Sequence, residues 1–238
     1  MNIDAQHILT CLQAVSQERA LRAADARLAA RVAAVKEFQH ARFASTYGDM
    51  LAHPRYAGAA RFFLDELYGE ADFTQRDAQF ARVVPALARL FPAEIVKTVG
   101  QLAELHALSE QLDSVMGAAL GAVLGAPSLD AATYGVAWRR VARASDRERQ
   151  IGLMLGVGSS LDTLTRKPLL RHTLRLMRAP ARAAGLEALQ SFLERGFDTF
   201  REMNGADEFL LLISMCERHL AEALFACPDV AKGTQELN

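Results

Sequence analysis

The spacing of apolar residues is that of α-helices along almost the whole chain of 238 residues. Apolar side chains recur every three or four positions, and no stretch alternates between apolar and polar residues as a half-buried strand does. Proline and glycine divide this pattern into about eight or nine runs. The sequence therefore predicts an all-α fold, a globular multi-helix bundle of about eight or nine helices.

Breaks in the helical pattern indicate how these helices are grouped. We expect one long helix, or two with a bend, over residues 1–50, and another long helix from about Ala93 to Leu124. The run GAVLGAPS then interrupts the pattern, which predicts an N-terminal part, residues 1–125, and a C-terminal part, residues 126–238, packed as one unit. The last helix, about Asp207–Ala226, is apolar around much of its circumference, so we expect it near the centre of the C-terminal part.

Charge and composition argue against several classes of function. Lys and Arg number 27 against 28 Asp and Glu, a formal net charge of −1, so no overall field favours nucleic acid or an anionic membrane. No apolar run approaches the roughly 18 residues that membrane insertion needs. The three cysteines lie far apart, and the first residues have no basic segment ahead of an apolar one. We therefore expect a cytoplasmic protein in a reducing compartment.

Aromatic and charged residues are densest in the segment RYAGAARFFLDELYGEADFTQRD, which follows Pro54. Within it Glu66 follows Phe62 by four positions and Phe63 by three, so on a helix it borders an aromatic stripe. A buried Glu66 needs a cation beside it. The candidates for this cation are Arg76 and Arg82. The alternative is an ordinary helix end whose following loop is tied down by charge pairs.

The same segment also offers a lining for a ligand. Helical cores can hold cavities lined by aromatic side chains. The candidate ligand-binding residues are Phe62, Phe63, Tyr68 and Arg76, together with Phe80. Aromatic residues at these spacings also occur in a simple helical core, so both interpretations stay open.

The long helix that begins near Ala93 carries the sharpest polar pattern. On a helix, His106 continues an apolar stripe that contains Leu102, and the stripe becomes polar towards Asp113. Glu110 lies beside it. Imidazole and carboxylate groups at these spacings could bind one metal ion, with further ligands from another helix, or act as an acid and base pair. The alternative is a structural ion pair or an exposed polar stripe.

Four arginines form a basic stripe farther along the chain. Their spacing of four, three and four positions places them on one face of a helix, where like charges repel and an acidic partner is favoured. We define the arginine stripe as Arg171, Arg175, Arg178 and Arg182. No aromatic residue lies between them, which argues against single-stranded nucleic acid. A protein partner, self-association or pairing within the chain would each satisfy the stripe.

The string FFLDELYG resembles a family motif. With RY before it, DF and RD after it, and the later strings ELHALSEQLD, AWRRV and LQSFLERGF, it is similar to uncharacterised bacterial proteins named for an FFLEELY motif. Asp65 stands where the motif has Glu, which keeps the charge and shortens the side chain. The resemblance covers most of the chain and implies a helical bacterial protein, and it transfers no catalytic residue.

Three hypotheses about function follow from these residues. The first is a non-catalytic cytoplasmic binding or interaction protein that uses the arginine stripe. The second is a metal-dependent or acid/base enzyme, whose candidate residues are His106, Glu110, Asp113 and Glu66. The third is a protein that binds an apolar ligand in an aromatic-lined helical pocket. The residues decide neither whether the protein is an enzyme nor which cofactor it holds, and they favour no cofactor.

Overall fold

The computed structural model describes residues 3–67, 69, 73–123 and 129–226. Every regular element in these ranges is a helix, which confirms the all-α prediction. The helices are α1 (Ile3–Ala24), α2 (Ala26–Thr46), α3 (Gly48–Ala52), α4 (Ala57–Leu67), α5 (Thr74–Leu90), α6 (Ala93–Val123), α7 (Ala131–Val141), α8 (Ala144–Thr165), α9 (Pro168–Leu176), α10 (Arg178–Ala183), α11 (Glu187–Met203) and α12 (Asp207–Ala226). They exceed the expected eight or nine because some expected helices are divided by short breaks.

One of these breaks has a local cause. Asp25 ends α1 and caps α2, because its carboxylate accepts hydrogen bonds from the backbone N–H groups of Arg27 and Leu28. The first fifty residues therefore contain a bend between two long helices, followed by the short α3. The expected basic helix after Pro168 is also divided, at Met177, which ends α9 and precedes α10.

Helix α6 is the central element of the fold. It contacts α1, α2, α7 and α8 along its length. Ala103, Leu112, Met116 and Leu120 on α6 are buried, so the helix packs on several sides. By contrast, α12 buries Phe209 and Ile213 but leaves other large apolar side chains exposed. These exposed residues are Leu211, Leu212 and Met215. The expectation that α12 lies at the centre was wrong, because only one face of that helix is covered.

Helices from both sides of the GAVLGAPS run pack on each other. Helix α6 contacts α8, and α4 contacts α11. An aromatic cluster joins α4 to α11 and α12, with the ring of Phe63 edge-on to that of Phe209 at a centroid distance of 5.4 Å. Phe200 lies edge-on to Phe209 at 6.4 Å. This cluster fixes α4, and with it Glu66, against α11.

Within the described ranges, no helix has both the length and the apolar character that crossing a membrane requires.

Candidate functional site

Two adjoining cavities lie among the helices of the described chain. The first has a volume of about 280 Å³ and is lined mainly by α5, α6 and α11. The second, of about 200 Å³, also involves α4, α8 and α9. Both are predominantly apolar. They share a set of lining side chains that includes Leu67, Leu87, Val99, Leu102, Phe192 and Leu193.

The first cavity reaches the protein surface. Leu90 and Met177 line it, and their exposed fractions are 71% and 43%. A continuous patch of exposed apolar side chains often marks a site where a ligand or a partner binds. The cavity therefore has an edge that is open to solvent between the end of α5 and the junction of α9 and α10.

The ionisable groups that line the cavities belong to the first cavity. Glu66, Arg76, Asp77 and His106 line it, while the second cavity has no ionisable side chain among the described residues that form it. These groups are joined by hydrogen bonds to two further arginines. We define the charged cluster as Arg19, Glu66, Arg76, Asp77, His106 and Arg195. The cavity pair is thus amphipathic, with its charge on one side.

Glu66 is buried between two arginines. Its position is set by Phe62 and Phe63, which pack into the core one turn earlier on α4 and turn the same helix face inward. The carboxylate accepts a hydrogen bond from Arg76 Nη1 at 2.6 Å and another from Arg195. Arg76 is the expected counter-ion. Arg195 is the second, in place of Arg82, which instead donates to backbone carbonyls of the α10–α11 turn.

Aromatic rings hold the Arg76 guanidinium in place. Its central carbon lies 4.0 Å from the ring centroid of Phe73 and 4.7 Å from that of Phe192, both within the range of cation–π attraction. Phe192 lines both cavities. The same aromatic side chain therefore contributes apolar wall to the cavities and positions the charge that faces Glu66.

Asp77 connects α5 to α1 and α6. Its Oδ2 lies 2.8 Å from Arg19 Nη2 and 2.8 Å from His106 Nε2, and its Oδ1 lies 3.4 Å from Arg76 Nε. Burial alone would raise the pKa of Asp77, but the hydrogen bond with His106 and the neighbouring positive charges outweigh burial and lower that pKa. The carboxylate therefore stays ionised and orients the imidazole ring.

Glu110 and Asp113 lie away from the charged cluster. Glu110 accepts hydrogen bonds from Arg22 and, at 2.8 Å, from Lys36, and neither carboxylate lines the two cavities. Burial would raise the pKa of Glu110, but the charge of Lys36 and its hydrogen bond, with the charge of Arg22, lower it. Burial raises the pKa of Asp113, and Glu110 adds to this effect. The polar stripe of α6 therefore divides between two environments.

This arrangement does not support the hypothesis of a metal site. Among the residues that the structure describes, no group of three or more His, Cys, Asp or Glu side chains is placed to hold a metal ion. His106 faces Asp77, whereas Glu110 faces cations. Tyr68, one of the candidate ligand-binding residues, lies outside the described residues. The other aromatic candidates do line the cavities, Phe62 and Phe63 the second and Phe80 the first.

Three of the four arginines of the stripe form ion pairs within the chain. Arg171 Nε lies 2.9 Å from Asp198 Oδ1, and Arg178 Nη2 lies 2.6 Å from Glu194 Oε2. Arg182 Nε lies 3.0 Å from Glu187 Oε1. Hydrogen bonds from Arg178 lower the pKa of Glu194, with a smaller contribution from the charge of Arg175. All three acids belong to α11, so the stripe fastens α9 and α10 to that helix.

The sequence patterns missed two arginines of the charged cluster. Arg19 lies on α1 and is 58 positions from its partner Asp77. Arg195 lies on α11 and is 129 positions from Glu66. Neither arginine forms a motif with its partner in sequence. One local sign existed for Arg195, because it follows the buried Phe192 by three positions and so borders the apolar face of α11.

Fold and site together define a class, namely an all-helical protein with an apolar cavity pair and one charged cluster. The chain belongs to the family described as a domain of unknown function, DUF8198, whose model matches residues 18–230. The expectation of an uncharacterised family is thereby confirmed, and the match includes every residue of the charged cluster. No curated protein and no solved structure matches the chain.

Proposed function

We propose that the protein is a non-catalytic binding protein whose ligand is an elongated, largely apolar molecule. The observation that supports this proposal is the pair of adjoining apolar cavities. Protein interiors are close-packed and contain few voids larger than a water molecule. The two cavities, of about 280 and 200 Å³, share walls and are predominantly apolar, so together they offer one apolar lining to a ligand.

The size and shape of the cavities favour a chain-like ligand. Ligand cavities in proteins begin at about 300 Å³ and are mostly apolar, with a few polar groups that fix the orientation of the ligand. The first cavity is close to that size, and the second extends the apolar lining towards α8 and α9. An apolar chain would lie along Leu102 and Phe192, which border both cavities.

A cavity-filling variant tests the proposal. Leu102→Trp adds side-chain volume at a wall that both cavities share. If the tryptophan variant does not fold, Leu102→Phe is used instead, because it adds less volume. Leu211→Trp on α12 is the matched control, because Leu211 is exposed and lies outside both cavity linings. The assay is the fluorescence of the neutral apolar dye Nile red, with native mass spectrometry of the purified protein to detect a retained molecule.

The expected result is dye binding by the unmodified protein and by Leu211→Trp, and loss of binding in the Leu102 variants. Equal dye binding in all folded variants would place the dye elsewhere and refute the proposal. A retained apolar molecule in the mass spectrum, displaced by the dye, would identify the ligand class directly.

The acid/base hypothesis has one observation in its favour, the hydrogen bond between Asp77 and His106 at the cavity wall. Aspartate that orients an imidazole is a common feature of acid/base sites. Glu66 is held by two arginines, and Glu110 lies outside the cavity linings. A reaction would therefore depend on His106. Turnover that His106→Leu abolishes, with dye binding kept, would support this alternative over binding alone.

Other predictions from the sequence remain proposals. Contacts of α6 with α8 and of α4 with α11 support a single folding unit across the two expected parts. Expressing residues 1–125 alone tests this, because a separate unit would unfold cooperatively. The arginine stripe remains a candidate for partner binding, and its test is a pull-down with Arg175→Glu. The cytoplasmic location, the bacterial origin and the kinship with FFLEELY proteins also remain predictions.

A further inference from the structure

Two polar side chains in the first cavity have hydrogen-bonding capacity that the described residues do not use. The His106 ring is engaged through Nε2, which lies 2.8 Å from Asp77 Oδ2 and 3.4 Å from Arg19 Nη2, and no described residue bonds to its Nδ1. Ser109 Oγ accepts a hydrogen bond from Gln150 Nε2 at 2.8 Å, and its hydroxyl hydrogen has no acceptor among the described residues. An imidazole has two ring nitrogens and a hydroxyl can both donate and accept, so one group on each side chain remains for a ligand.

The two groups lie next to each other. His106 and Ser109 are three positions apart on α6 and are therefore neighbours on the helix surface. Both line the first cavity, and the side chain of His106 has an exposed fraction of only 18%. Apolar residues of the same helix, Val99 and Leu102, continue the cavity wall from them. A ligand with an apolar chain along this wall would bring its head group to these two residues.

The charge balance indicates what kind of head group fits. The part of the charged cluster that is mostly shielded from solvent has two arginines, Arg19 and Arg76, against two buried carboxylates, Glu66 and Asp77. Arg195 reaches solvent, with a side chain exposed to 58%. A neutral imidazole keeps this buried set balanced, whereas an imidazolium adds one positive charge. Because a buried charge needs a counter-ion, an imidazolium here favours a bound anion.

A cationic head group fits less well. Each carboxylate already has at least two cationic or imidazole partners, Asp77 with Arg19, Arg76 and His106, and Glu66 with Arg76 and Arg195. An incoming ammonium group would have to displace one of these partners or add an uncompensated charge. An anion needs no such displacement.

We propose that the ligand is a long-chain carboxylic acid whose head group binds His106 and Ser109. The proton of the acid passes to Nδ1 of the imidazole, which yields a carboxylate and an imidazolium and leaves the net charge of the complex unchanged. Nδ1–H and the Ser109 hydroxyl then donate to the carboxylate oxygens, while Nε2–H donates to Asp77. The lowered pKa of Asp77 keeps its carboxylate available for this role. The inference rests on the proposed binding function and adds the chemical class of the ligand.

Head-group preference tests the inference with three ligands of equal chain length. Dodecanoic acid, dodecan-1-ol and dodecylamine are titrated into the delipidated full-length protein by calorimetry, and Nile red fluorescence reports on the cavity independently. A hydrogen bond between charged groups contributes more binding free energy than one between neutral groups, so we expect the acid to bind about tenfold or more tightly than the alcohol. The amine is expected to bind most weakly.

Variants assign the preference to the two residues. His106→Leu and Ser109→Ala should each reduce the advantage of the acid over the alcohol, with the affinity of each variant for the alcohol as its own reference. His219→Leu, an exposed histidine on α12, is the matched control and should keep that advantage. If His106→Leu fails to fold by circular dichroism, Ser109→Ala and the acid-to-alcohol ratio of the unmodified protein decide.

Each outcome is decisive. If the protein binds Nile red but binds the acid and the alcohol equally tightly, the head-group inference is refuted and the proposed function stands. The same conclusion follows if the amine binds most tightly. An acid preference that survives in His106→Leu and Ser109→Ala refutes the assignment to these residues. Failure of the unmodified protein to bind Nile red or any of the three ligands refutes the proposed function itself.

Discussion

Removal of the charge of Glu66 should destabilise the protein far more than removal of its exposed partner. In Glu66→Gln the side chain keeps its size and loses its charge. The Glu66 side chain has an exposed fraction of 4% and Arg76 one of 13%, so the substitution leaves a largely shielded guanidinium without its closest carboxylate. Arg195→Gln is the matched variant, because it removes the other cation from the same carboxylate at a site exposed to 58%.

The two variants differ in expected magnitude because of this difference in burial. Breaking a buried ion pair by removing one partner costs about 3–5 kcal/mol. Arg76 retains Asp77 as a weaker partner at 3.4 Å, so the expected loss in Glu66→Gln is about 2–3 kcal/mol. For the solvent-exposed Arg195 the expected loss is only about 0–1 kcal/mol.

Urea unfolding followed by circular dichroism measures both losses. The free energies of unfolding are compared at equal dependence on urea concentration, since a changed dependence would indicate an altered unfolded state. In a thermal scan the same loss corresponds to a melting temperature lowered by roughly 5–10 °C for Glu66→Gln. If Glu66→Gln and Arg195→Gln fall within about 1 kcal/mol of each other, the assignment of Glu66 as a buried, charge-dependent contact is wrong.

Three further predictions concern packing, pH and the arginine stripe. Gly117→Ala on α6 should lower the free energy of unfolding by about 1–3 kcal/mol, because the new Cβ would lie 2.6 Å from Val32 Cγ2. Gly152→Ala on α8 should raise the free energy of unfolding by about 0.5–1 kcal/mol, because its new Cβ would have nothing within 4 Å. Urea unfolding measures both changes. The pKa of Asp77 is lower in the folded state, so its contribution is present above the unfolded pKa and is lost as pH falls through the folded pKa. Asp77→Asn should therefore flatten the acid side of a stability–pH profile, and an unchanged profile would contradict this. Arg178→Gln, at an exposed ion pair, should change the melting temperature little, and a large drop would contradict its surface role.

Helix positions were the most predictable part of the fold. The start of α6 and both bounds of α12 are those expected, because apolar periodicity and the flanking proline and glycine residues are local features. The expected end of α6, Leu124, lies outside the described residues. The break at Asp25 was less certain, since the sequence was compatible with one long helix or two. Asp25 is a strong capping residue, but its effect depends on the competing helical preference of its neighbours.

The charged cluster was only partly predictable, because it depends on which helix faces meet. His106, Glu66 and Arg76 were candidates on the basis of residue type and spacing. The sequence grouped His106 with Glu110, a neighbour on the same helix, whereas packing pairs it with Asp77, 29 positions away. Similarly, Arg82 and Arg76 were equal candidates as partners of Glu66. The orientation of α5 turns Arg76 towards Glu66 and sends Arg82 to the α10–α11 turn.

The pairing of the arginine stripe with α11 also has a consequence for kinetics. Leu170 and Leu174 of α9 form part of the second cavity wall, and two partly exposed ion pairs, Arg171 with Asp198 and Arg178 with Glu194, hold α9 and the start of α10 in place. Exposed ion pairs weaken as ionic strength rises. We therefore expect bound Nile red to dissociate faster at high salt concentration. Stopped-flow dissociation rates that do not depend on salt would contradict this role of the two ion pairs.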